Sequence, residues 1–79
     1  MGASAPQDGD IVVREHMQDG KLTFVLHTEP GPAQMILRTR DEALQQANKV
    51  AERLRVQVWI ANGGSTFVLV KDCRKKQAP

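Results

Sequence analysis

The chain is 79 residues long and is short of several things, each of which excludes a class of protein. It has a single cysteine, Cys73. One thiol cannot close an internal disulfide, and it cannot build a cysteine-based zinc site within one chain. A reducing, cytoplasmic compartment is the matching expectation. No apolar run reaches the roughly 20 residues that a membrane-spanning helix needs, so no membrane role is expected. The opening MGASAPQDGD lacks the basic and apolar regions of a secretory signal.

Net charge is also small on the body of the chain, although its charged fraction is ordinary. The overall formal charge is +2, yet Lys71, Arg74, Lys75 and Lys76 against Asp72 give the last nine residues a net +3, which leaves −1 for everything before them. A nucleic-acid module usually carries its basic footprint on the folded body. Here the body is close to neutral.

What is present begins with one helix. TRDEALQQANKVAERL, from Thr39 to Leu54, opens with the Thr39-x-x-Glu42 capping box and an acidic first turn. Ala43, Leu44, Ala47, Val50, Ala51 and Leu54 recur at three and four residues and make one apolar stripe. A helix of this length is marginal alone in water, so the stripe must lie on a sheet.

The rest of the chain supplies the strands. Residues 10–28 read as a hairpin, because Asp19-Gly20 suits a type I′ turn. The turn sets Met17 opposite Leu22, Glu15 opposite Phe24, Val13 opposite Leu26 and Ile11 opposite Thr28. That face is expected under the helix, with Glu15 as its misfit at the sheet margin. Pro30 and Pro32 break the ladder, since proline cannot donate. A third strand is expected over 34–38, a fourth over 56–61 and a fifth over 66–71, the last two joined by Asn62-Gly63-Gly64-Ser65.

These readings combine into an α+β fold. An antiparallel sheet of about five strands in the order β-β-β-α-β-β carries one helix on one face. The domain is expected over 10–71, after a disordered lead-in (1–9) and before a disordered basic tail (72–79).

The Asp19-Gly20 hairpin, the Thr39-x-x-Glu42-Ala43 helix start with Ala47 and Ala51, the Val56–Ile60 strand, the Gly63-Gly64 turn and the Phe67–Val70 strand carry a resemblance. Over roughly residues 11–71 the chain resembles a family of small bacterial domains of uncharacterised function. It departs from that pattern at Leu22, where an aromatic residue is usual, and at Pro30-Gly31-Pro32. The resemblance implies a compact α+β fold and supplies no catalytic residues.

Candidate chemistry is sparse. His16 and His27 fall on one sheet face, four strand residues apart, or roughly 13 Å. That is too far for one metal ion, and both are expected to be surface histidines. Cys73 has no orienting base in its mobile-looking tail. Gly63-Gly64 lies between strands and does not open a helix, so it is no phosphate loop. No enzyme activity, metal or cofactor is expected.

The second sheet face is expected to show Val12, Val25, Ile36, Trp59, Val68 and Val70, which is more apolar than a solvated face needs. Trp59 is the expected anchor of an interface with Val25, Ile36, Val68 and Val70 around it, since tryptophan is enriched at hot spots. The expected partner is a second copy or an unknown protein. The alternative is nucleic-acid binding through Arg14, Arg38, Arg40 and the basic residues Lys71, Arg74, Lys75 and Lys76.

Overall fold

The computed structural model describes residues 5–29, 31, 33–61 and 66–73. Five strands and one helix follow in the expected sequence: β1 (Ile11–Gln18), β2 (Lys21–Thr28), β3 (Ala33–Leu37), α1 (Arg40–Leu54), β4 (Gln57–Ala61) and β5 (Phe67–Asp72). They make one five-stranded sheet in the spatial order β3-β2-β1-β4-β5. The helix packs chiefly on β1, β2, β3 and β4. The fold is therefore α+β with the helix on one face.

The first hairpin forms in the register that its turn dictates. Asp19 and Gly20 both take positive φ, 52° and 78°. Ile11 pairs with Thr28 and Met17 with Leu22, along with every pair between them. Two left-handed residues in succession match the right-handed twist of the flanking strands.

The sheet is mixed, which corrects the expectation of an antiparallel one. β1 and β4 run parallel, Ile11 beside Val58 and Val13 beside Ile60. The helix is the cause. β3 is antiparallel to β2 and β2 to β1, so β3 and β1 point the same way. A helical crossover returns the chain to begin β4 in that direction, and a crossover of this kind is what parallel pairing needs.

Thr39 caps the helix by accepting from the Glu42 N–H at 3.1 Å. Arg55 ends it in the left-handed region, φ 60°, and its N–H donates to the Ala51 carbonyl. Ala43, Ala47 and Ala51 are fully buried against Ile11, Val13, Phe24, Leu26, Val56 and Val58. Three alanines in one stripe bring the helix backbone close to the sheet, so Leu44 and Val50 reach only its flanks and Leu54 stays exposed.

Backbone contacts reach slightly outside residues 10–71 at both ends. The Gly9 N–H donates to the Glu29 carbonyl at 2.7 Å, and the Gln7 N–H to Asp10 Oδ2 at 2.9 Å. Asp72 belongs to β5, and the Cys73 N–H donates to the Val56 carbonyl. The first four residues of the expected lead-in and the rest of the tail, from Arg74 on, lie outside the described residues.

Candidate interaction surface

β5 does not present its side chains as expected. Directly opposed residues share a sheet side. Ile60, which packs toward the helix, pairs with Val68, and Trp59 pairs with Leu69. Val68 and Val70 therefore face the helix side, and Phe67 and Leu69 face the other. The sequence expectation had these reversed. The register follows from Ala61 pairing with Phe67, and an irregularity between Val58 and Trp59 then lets Lys71 join Val70 on the helix side. No rule of strand alternation could show either.

The second face is closed around Trp59. Its relative exposure is 2%, and it forms a small cluster with Val12 and Ala61, with Phe67 packed against it. The indole N–H donates to Asp10 Oδ2 at 3.0 Å. Asp10 is fully buried and also accepts from the backbone N–H of Gln57 at 3.0 Å and of Gln7 at 2.9 Å. Burying a carboxylate costs several kcal/mol unless donors replace its water. Three N–H groups do so here. Trp59 is thus a covering element of its own sheet, held by an aspartate, and does not stand out as a surface anchor.

The expected interface set is not one patch. Val25 is half-buried and Ile36 is 68% exposed, both on the second face, where Ile36 pairs with Val25. Val68 and Val70 are 48% and 39% exposed on the helix side. Leu69, at 45%, is exposed on the second face and was not expected there. Asp10 was also missed. It stands 49 positions from Trp59, and nothing local in the sequence joins the two.

His27 is buried, which corrects the expectation of two surface histidines; His16 is exposed. The His27 Nδ1–H donates to its neighbour's carbonyl, Thr28 O, at 3.0 Å, and Nε2 accepts from Arg14 Nε at 3.1 Å. That pair of contacts requires a neutral ring protonated on Nδ1. Glu29 Oε1 lies 3.9 Å from the same Nδ1, beyond hydrogen-bond reach, so Thr28 fixes the ring. The Arg14 guanidinium lies over the Phe67 ring, 5.5 Å from its centroid.

The basic residues are dispersed. Arg14 is on the second face, where it pairs with Val25 and Ala61. Arg40 begins the helix and lines a groove on the opposite side of the sheet. Arg38 is exposed in the β3–α1 connection. Lys71 donates to Glu52 Oε2 at 2.8 Å. That hydrogen bond lowers the Glu52 pKa and raises that of Lys71. Arg74, Lys75 and Lys76 lie outside the described residues.

The groove, of about 380 Å³, runs between the first turns of α1 and the margin of the sheet. Val68, Val70, Ile60 and Leu44 form its apolar wall, with Glu15 and Arg40 at its charged part. Glu15 is exposed there. Among the described residues, no group of three or more His, Cys, Asp or Glu side chains is placed to hold a metal ion, and no helix is long and apolar enough to cross a membrane.

Comparison with protein-family models, with curated proteins and with solved structures finds no match to this chain.

Proposed function

We propose that this chain is a small non-enzymatic interaction module that self-associates through the margin of its sheet at β5. The observation that carries the reading is a terminal strand with three consecutive exposed apolar residues, Val68, Leu69 and Val70. Large apolar side chains on both sides of an edge strand are the kind of surface that another chain covers. The contact surface is centred on Leu69, and Trp59 lies behind it. Catalysis finds little support, because Asp10 and His27 are engaged in internal hydrogen bonds. The lone Cys73 suits a reducing, cytoplasmic setting. Nucleic-acid binding has weaker support, since Arg14 and Arg40 lie on opposite sides of the sheet.

Sedimentation equilibrium over a range of concentrations, at low and high salt, tests the reading. The wild-type chain is expected to dimerise, and the dimer to persist in high salt, because apolar burial is not screened. Leu69→Lys is expected to be monomeric with an unchanged fold. A wild-type monomer at every concentration, or a Leu69→Lys dimer as tight as wild type, would overturn it.

A further inference from the structure

Two charged residues stand against the local rules around them, and both line the same groove. Glu15 takes an apolar position of β1, on the side where Ile11 and Val13 enter the core. Arg40 is the first residue of α1, where the helix dipole favours an anion over a cation. Positions that break local rules in a folded chain are where function is to be sought. Asp41 and Glu42, in the same helical turn as Arg40, do not line the groove. Among the described residues, the side chains of Glu15 and Arg40 form no ion pair with each other or with any neighbour. The groove is otherwise apolar, with Val68 and Val70 exposed and Leu44 and Ile60 half-buried.

We propose that this groove binds a free α-amino acid with a branched apolar side chain. Arg40 takes its carboxylate and Glu15 its ammonium, while Leu44, Ile60, Val68 and Val70 receive its side chain. The site goes beyond the self-association reading, whose central residue, Leu69, lies on the other side of the sheet.

Charge and size select this class of ligand. A simple anion would meet the Glu15 carboxylate, and a simple cation the Arg40 guanidinium. A zwitterion offers each its opposite. A guanidinium can donate two parallel N–H bonds to a carboxylate, and the positive end of α1 adds to that attraction. The volume of about 380 Å³ falls near the lower end of small-molecule sites, about 300–1,000 Å³, and suits one amino acid rather than a folded partner.

Methyl-resolved NMR titration of the whole chain tests the site. L-Leucine should shift the methyl signals of Leu44, Ile60, Val68 and Val70 saturably, with a Kd of about 1 mM for so open a groove. Val12 and Val25, on the second face, should not move. Isocaproate is leucine without its ammonium, and isoamylamine is leucine without its carboxylate. Each should bind about tenfold more weakly than leucine. Arg40→Gln should erase the advantage of leucine over isoamylamine, and Glu15→Gln its advantage over isocaproate. The Leu69→Lys chain should bind leucine as the wild type does, so loss of self-association and loss of this site are read separately. No saturable shift by about 50 mM leucine, shifts centred elsewhere, or equal binding of leucine and the two analogues would overturn the assignment.

Discussion

The two faces of the sheet are closed by different means. On the helix side, Ala43, Ala47 and Ala51 close over Ile11, Val13, Phe24, Leu26 and Val58, and many contacts share the task. On the other side one indole covers Val12, and one buried carboxylate holds the indole. The first closure is distributed and the second is concentrated. A distributed closure responds to changes in fit, whereas a concentrated one fails when a single residue is removed.

The largest break in that comparison is Trp59→Ala. Truncating a buried tryptophan costs about 3–5 kcal/mol, a large share of the stability of a domain this small. Asp10→Ala leaves three N–H donors without their acceptor, and a loss of about 3 kcal/mol is expected. Urea denaturation of both single variants and the double variant measures the coupling. The double variant should lose much less than the two losses added together. Additive losses would mean that the two residues do not act as a unit.

The helix side answers to size instead. Ala47→Leu adds bulk where the helix backbone lies close to the sheet, and it should cost about 1–3 kcal/mol. A variant as stable as wild type would show that the alanine stripe is not tightly seated. The smallest effect belongs to the exposed Glu52–Lys71 pair. Its contribution is present between the usual glutamate and lysine titration ranges. It is lost as pH falls through the lowered Glu52 value or rises through the raised Lys71 value. Glu52→Gln should shift the unfolding midpoint least of all, with the shift vanishing in high salt. A shift that survives high salt would mark a contact more than electrostatic.

Local chemistry made much of this fold legible. Asp19-Gly20 specified the hairpin and its whole register, and Thr39 with Glu42 located the helix start to within a residue. The parallel pairing of β1 and β4 was also within reach, since a strand–helix–strand unit ordinarily returns the chain in the same direction. The site was less legible because its contacts are long-range. The Asp10–Trp59 hydrogen bond exists only after β4 has taken its place beside β1. The sides of β5 depend on the register across residues 62–65 and on an irregularity opposite Val58, which alternation alone does not carry.

The buried indole also has a spectroscopic consequence. The chain has one tryptophan and no tyrosine, so its near-ultraviolet emission comes almost wholly from Trp59. That ring becomes dry and hydrogen-bonded when residues from Gln7 to Trp59 have been gathered around Asp10. The β1–β2 hairpin is local and can form beforehand without changing the ring's surroundings. In a refolding experiment the emission change therefore dates the arrival of β4 beside β1, the event that joins the two ends of the sheet.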